Sequence, residues 1–205
     1  HWITTPVEHS SVLSQVSWAR DLGCEVSYLP VDSNGVPRLE EWVRLWRPET
    51  ALVSVLWVNN ETGAITPGMA ESARLIHERG ACFHVDAAQA WGKIPIDVID
   101  LGADLLTLSA HKIGGLPGMG ALWINEEKIK VSERAGTENL WGAIAMGTAA
   151  SLIEPVQWAK QVRPARDWLE QEILARIQGV IVNGGGAERV AGTLNLSFCE
   201  GKGEA

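Results

Sequence analysis

The chain has 205 residues, of which 46% are apolar and 20% charged, a balance that suits a globular protein able to bury one large core and part of another. Its net charge of −8 argues against nonspecific binding to nucleic acid or to anionic membrane surfaces. No run approaches the roughly 18 apolar residues of a membrane span. The opening His1-Trp2-Ile3-Thr4-Thr5-Pro6 lacks the basic and apolar regions of a signal peptide, so the cytoplasm is the expected compartment.

Short apolar strands alternate with helical stretches, the pattern of a parallel α/β sheet. Residues 12–22 read as a helix, followed by the strand Glu25-Val26-Ser27-Tyr28-Leu29 and the turn Asp32-Ser33-Asn34-Gly35. Residues 39–46 read as a second helix, with Trp42 and Trp46 one turn apart. Residues 51–58 are nearly continuously apolar, as expected of a strand covered on both faces, and Asn59-Asn60-Glu61-Thr62-Gly63 is the loop at its carboxyl end. Residues 69–79 form a further helix closed by Gly80. Strands around Val85, Leu106 and Leu122 follow, then helices over 140–159 and 165–177, then strands over 180–182 and 193–198. The expected organisation is a large α/β domain over residues 1–150 and the start of a smaller C-terminal α/β domain over 151–205.

Three cysteines, Cys24, Cys82 and Cys199, stand at wide spacings without a CxxC pair, which is neither a disulfide framework nor a zinc site. Cys82 falls in a strand and reads as a small core residue. Most of the ten tryptophans are expected to pack in a core or an interface.

The segment that carries chemistry is Ser109-Ala110-His111-Lys112, where an apolar strand ends in a hydroxyl, a histidine and a lysine before a glycine-rich stretch. A lysine at the rim of a buried strand is expected to be desolvated enough to attack an aldehyde. Upstream, His84-Val85-Asp86-Ala87-Ala88-Gln89 ends another strand with an acid and an amide. A lysine that forms a Schiff base and an aspartate that holds a pyridinium nitrogen are the two groups that pyridoxal phosphate asks of its protein. Asn60, Asp86, Gln89 and the 109–112 segment all fall at carboxyl ends of strands, where ligands gather in such sheets. His77 and His84 read as structural. Gly114, Gly115, Gly118 and Gly120 lack the GxxxxGK[ST] spacing of a phosphate loop and read as backbone freedom beside the lysine.

These strings, together with Glu8-His9, Val58-Asn59-Asn60-Glu61-Thr62-Gly63, Gly92-Lys93 and Arg134-Ala135-Gly136-Thr137-Glu138-Asn139, resemble the cysteine desulfurases, fold-type I pyridoxal-phosphate enzymes of aminotransferase class V. They come in that family's order across nearly the whole chain. The resemblance implies a mostly parallel sheet flanked by helices. It implies that Lys112 carries pyridoxal phosphate and moves protons at the substrate's alpha carbon, and that Asp86 pairs with the ring nitrogen. His9 stacks on the ring and assists proton transfer, Gln89 bonds the phenolic oxygen, and Asn60 lies near the ring and the substrate carboxylate. Ser109 and His111 hold the phosphate, and Thr137 reaches the phosphate of a partner subunit, which implies a homodimer. The implied reaction takes L-cysteine to L-alanine and passes the sulfur as a persulfide to an acceptor such as an iron–sulfur scaffold or a tRNA-thiolation protein. Within the family the Asn-Asn-Glu-Thr-Gly and Arg-Ala-Gly-Thr-Glu-Asn strings lean toward the nitrogenase-type branch.

The chain also departs from the family's pattern. The family's nucleophilic cysteine is expected after Ala205 and is not Cys199, and its Gly-Ala-Thr phosphate loop is expected before His1. The arginine expected to bind the substrate carboxylate has no counterpart here. Between Val131 and Ser132 about ten residues are lacking, and Leu116-Pro117 stands for the family's usual Pro-Lys. The chain thus reads as the ordered parts of a longer protein, or else as a truncated one. Another class V enzyme, a selenocysteine lyase or an aminotransferase, shares the cofactor residues. A catalytically silent dimerising or scaffold-binding module is the alternative outside enzymes.

Overall fold

The computed structural model describes residues 1–130 and 136–199. β1 (Trp2–Thr4), β2 (Val26–Tyr28), β3 (Leu52–Leu56), β4 (Cys82–Asp86), β5 (Leu105–Ser109) and β6 (Gly120–Ile124) form one sheet in the order β2-β1-β3-β4-β5-β6. Neighbouring strands run parallel except β5 and β6, which are antiparallel. This is the mostly parallel α/β sheet expected from the sequence.

The register separates an apolar face from a polar one. Val53 pairs with Phe83, and Val55 with Val85, which pairs in turn with Leu106; all five are buried and pack in one core. Because side chains alternate along a strand, Ser54, His84 and Thr107 share the opposite face with Leu56 and Asp86. Helices close the layers. α1 (Ser10–Asp21) follows β1, and α3 (Met69–His77) buries Met69, Ser72, Ala73 and Ile76, one helical stripe. The chain leaves α3 through Gly80, whose φ of +81° glycine takes without steric cost. Asp97 caps the short α4 (Val98–Leu101), accepting from the amides of Ile99 and Asp100.

The stretch read as one helix over 39–46 is a 3₁₀ turn, Leu39–Glu41, running into α2 (Trp42–Leu45). Trp42 is buried there, edge-on to Trp46 at 5.5 Å, with Arg79 stacked 4.8 Å above it. Trp18, Trp141 and Trp168 are by contrast mostly exposed, so packing within this chain accounts for only part of the tryptophan content.

The expected helix over 140–159 is two helices, α5 (Leu140–Ser151) and α6 (Pro155–Arg176). Pro155 sits at the start of α6, where its missing N–H costs nothing, and it bars Glu154 from helical geometry (φ −131°, ψ 80°). The helix expected over 165–177 is the continuation of α6, which tolerates Pro164 in its interior. β7 (Val180–Val182) and β8 (Leu196–Phe198) pair antiparallel in a sheet of their own. The segment between them returns to the main sheet's loops: the Ile65 amide donates to Glu188 and the Val190 amide to Gly63. Among the described residues no helix is long and apolar enough to cross a membrane.

Candidate active site

The order of the sheet makes the site. The chain crosses from β1 to β2 on one side and continues through β3, β4 and β5 on the other, so a crevice opens at the carboxyl ends beside β1. His9 follows β1, Asn60 follows β3, Asp86 ends β4 with Gln89 after it, and Ser109 ends β5. The 3₁₀ turn Ala110–Ile113 carries His111 and Lys112. All seven line one cavity of about 260 Å³, together with Ser11, Leu56, Val58, Ala88, Thr107 and Leu108.

Thr137, the eighth expected site residue, is exposed and does not line this cavity. Arg134 and Ala135 of its string, and the expected shortfall between Val131 and Ser132, lie outside the described residues.

Local hydrogen bonds fix most of these side chains. Asp86 is nearly buried, and its Oδ1 accepts the Ala88 amide at 2.9 Å. His9 caps α1, its Nδ1 lying 3.2 Å from the Ser11 amide and 2.8 Å from the Ser11 hydroxyl. Ser109 Oγ and His111 Nδ1 are 3.0 Å apart. Asn59 shapes the loop after β3, its Oδ1 accepting the amides of Glu61 and Thr62. Asn60 is thereby left to face the cavity, its Nδ2 donating to Glu61 at 2.7 Å. Gln89 Oε1 accepts from the Lys93 ammonium.

One expectation fails. Lys112 is exposed, because the 3₁₀ turn carries it out beyond the buried strand, so burial by β5 does not desolvate it.

Beneath the cavity a polar line crosses three strands. Ser54 Oγ meets His84 Nδ1 at 2.7 Å, and His84 Nε2 meets Thr107 Oγ1 at 2.8 Å. Burial lowers the His84 pKa, with nearby Asp86 acting against it. His84 is thus a structural histidine, as expected, and it fixes Thr107, which lines the cavity.

Glu8 has no role assigned from the sequence. It is buried next to this site, with Oε1 accepting from the Thr5 hydroxyl at 2.7 Å and the Leu56 amide at 3.0 Å. Oε2 is buried without a partner. Burial, reinforced by the charge of Asp86, pushes its carboxyl up to about 8, against the two hydrogen bonds that favour ionisation. Glu8 therefore carries a proton at neutral pH. A protonation state of this kind becomes visible only when strands distant in sequence bury the residue.

Cys24, Cys82 and Cys199 are free thiols and none lines the cavity. Burial raises Cys82 to about 11, which makes it inert, as a core residue is expected to be. The described residues hold no cluster of histidine, cysteine and acidic groups able to bind a metal ion.

A mostly parallel α/β domain with an amine, a carboxylate, a carboxamide and an imidazole converging at the strand ends has the architecture of the fold-type I enzymes. Residues 1–134 match the aminotransferase class-V family, and the chain belongs to that family. It is 38% identical to the cysteine desulfurase IscS of Dictyoglomus turgidum over 217 aligned positions, which cover 100% of this chain and 55% of that protein. Among solved structures, DndA from Streptomyces lividans superposes with a TM-score of 0.85 at 34% identity, covering 97% of this chain and 60% of that one. SspA, solved in complex with cysteine, does so with a TM-score of 0.81 at 28% identity, covering 97% and 58%. The chain thus spans little more than half the length of the relatives it matches.

Proposed function

We propose that the full-length protein is a cysteine desulfurase that binds pyridoxal phosphate in this cavity and converts L-cysteine to L-alanine. The observation that carries the reading is the convergence of His9, Asp86, Gln89 and Lys112 on one cavity in a class V chain. Relatives that bear the name cysteine desulfurase, and one related structure solved with cysteine, support the substrate. The donor set suits the cofactor: an amine for its aldehyde, a carboxylate for its ring nitrogen, a carboxamide for its phenolic oxygen, and a hydroxyl–imidazole pair for its phosphate.

When bound, pyridoxal phosphate supplies an electron sink for charge developing at the substrate's alpha carbon. Lys112 would hold it through its amine and would serve as the base for the alpha proton. Asp86 would pair with the ring nitrogen and favour a proton there. Gln89 would donate to the phenolic oxygen, His9 would stack on the ring and assist proton transfer, and Asn60 would orient the substrate carboxylate. Ser109 and His111 hold the phosphate. Thr137 serves the phosphate of the partner subunit in a homodimer. The thiolate that takes the sulfur is none of the three cysteines of this chain, and the sulfur passes on to an acceptor protein in the cytoplasm, as in the nitrogenase-type branch. Residues 1–150 form the cofactor domain and 151–205 begin the smaller one, a division supported by the helix break at Pro155 and the separate β7–β8 pair.

The test is to load the purified full-length protein with pyridoxal phosphate, reduce it with borohydride, and locate the adduct by peptide mass. The expected results are a pyridoxyl group on Lys112 and alanine formed from cysteine by the unreduced enzyme. No adduct on Lys112 overturns the cofactor reading. An adduct without alanine formation points to a different class V substrate.

A further inference from the structure

Lys93 has no role among those expected of the site, yet it is half-buried and built into the turn that follows β4. The amides of Ala90 and Trp91 donate to the Ala87 carbonyl, and those of Lys93 and Ile94 to the Ala90 carbonyl, which makes two successive turns over residues 87–94. These turns bring Gln89 and Lys93 together, with the Lys93 ammonium on Gln89 Oε1. Gly92 holds the turn in place. Its φ is +77°, and a Cβ there would lie 2.8 Å from Ile113 Cγ2, the residue after Lys112. Lys93 and Lys112 therefore line one cleft of about 490 Å³, adjoining the candidate active site. Burial and the charge of Lys112 both lower the Lys93 pKa.

An ammonium has only donors, so the carboxamide group that meets it is the oxygen. With Oε1 committed, the Gln89 amide has a defined face: its Nε2, with two protons, is the end left for the cavity that Gln89 lines. Without Lys93 both orientations of the carboxamide become available, and half of the choice presents an oxygen to whatever oxygen lies in the cavity.

We propose that Lys93 is a positioning residue that fixes the Gln89 carboxamide so that it acts as a hydrogen-bond donor into the active-site cavity. This rests on the reading of Gln89 as the partner of the cofactor's phenolic oxygen. Lys93 itself touches neither cofactor nor substrate.

The test compares Lys93→Met, Lys93→Gln, Lys93→Arg and Gln89→Ala in the full-length protein. Pyridoxal-phosphate affinity is measured by equilibrium dialysis, and the absorption maximum of the bound cofactor is recorded. A lost, oriented hydrogen bond is about tenfold in affinity. Lys93→Met and Lys93→Gln are expected to weaken binding about tenfold and to shift the absorption maximum in the direction that Gln89→Ala shifts it. Lys93→Arg is expected to restore both, and Gln89→Ala added to Lys93→Met to cause no further loss. If Gln89→Ala moves both readouts while Lys93→Met and Lys93→Gln move neither, the positioning role is overturned and the reading of Gln89 stands. If Gln89→Ala moves neither readout, the reading of Gln89 is overturned, and the positioning role falls with it.

Discussion

The Leu56 amide donates to the buried carboxyl of Glu8 across 3.0 Å, at the point where Leu56 stands in register beside Asp86. This ties the segment carrying His9 to the end of β3, and it puts two carboxyl groups within electrostatic reach of each other. Burial resolves the conflict by keeping the proton on Glu8, whose carboxyl is pushed up to about 8.

The sign of the pH effect follows. The unfolded chain releases the Glu8 proton near its ordinary value of 4.5, whereas the folded chain keeps it to about 8. The folded state binds more protons in that window, so this residue's contribution to stability declines as pH rises from about 4.5 to 8 and levels off above. Glu8→Gln, which keeps an acceptor for Thr5 and Leu56 but does not titrate, is expected to gain on the wild type over this window. The gain is on the order of a few kcal/mol between pH 5 and 8. Urea denaturation of both proteins at several pH values measures it; a difference independent of pH would show that Glu8 is ionised in the fold.

A second prediction concerns Asp104, whose buried carboxylate joins three elements. Oδ2 accepts the Phe83 amide at 2.9 Å and meets His77 Nε2 at 2.7 Å, and Oδ1 lies 2.8 Å from the Lys128 ammonium. Burial acts to raise its pKa, but the Lys128, Phe83 and His77 contacts prevail and hold it below the ordinary carboxylate range. Its stabilisation is therefore present above about 3.8 and lost as pH falls through the lower folded value. Asp104→Ala leaves a buried amide and two basic groups unpaired. It is expected to cost about 3 kcal/mol at pH 7, and the gap should narrow in acid. Denaturation at pH 7 and pH 3 tests both parts; equal losses would detach the effect from ionisation.

Much of this architecture is legible in the chain, and the rest is not for definite reasons. β5 and its carboxyl-end residues announce themselves because an apolar run stops abruptly at Ser109-Ala110-His111-Lys112. Asp86 and Gln89 are found the same way. The exposure of Lys112 was not legible, since the 3₁₀ turn that lifts it away has no sequence period of its own. Nothing in the string Glu8-His9 marks Glu8 as buried. Its burial depends on β3, 48 residues away. The Ser54–His84–Thr107 line requires the register of three strands. The break between α5 and α6 was obscured by Leu152 and Ile153, which continue the apolar pattern, although Pro155 marked it.

For the chemistry, Asp86→Asn is the informative change, because it keeps the size and the acceptor for the Ala88 amide while removing the charge. If Asp86 stabilises a protonated ring nitrogen, its loss removes an electrostatic interaction that strengthens as the reaction proceeds. The expected fall in kcat is about 10²–10³-fold, with the borohydride adduct on Lys112 still formed. Steady-state alanine production alongside adduct mapping separates the two. An Asp86→Asn protein with wild-type kcat would remove Asp86 from the mechanism.

The last prediction bears on the loop that presents Asn60. Gly63 closes it with a φ of +73°, its amide donating to Asn59 and its carbonyl accepting the Val190 amide. A Cβ at this position would lie 2.6 Å from Thr193 Cβ, and both atoms are fixed close to backbone, so neither yields easily. Gly63→Ala therefore combines a left-handed backbone, costing about 1–2 kcal/mol, with an overpacked contact of similar size. We expect a loss of roughly 2–4 kcal/mol from these two terms. Gly63→Ala combined with Thr193→Gly removes the clash and leaves the strain, and it is expected to recover about half of that loss. Thermal and urea denaturation of the single and double variants decide the matter. No recovery in the double variant would assign the whole cost to the backbone and show that the 183–195 segment does not press on the loop.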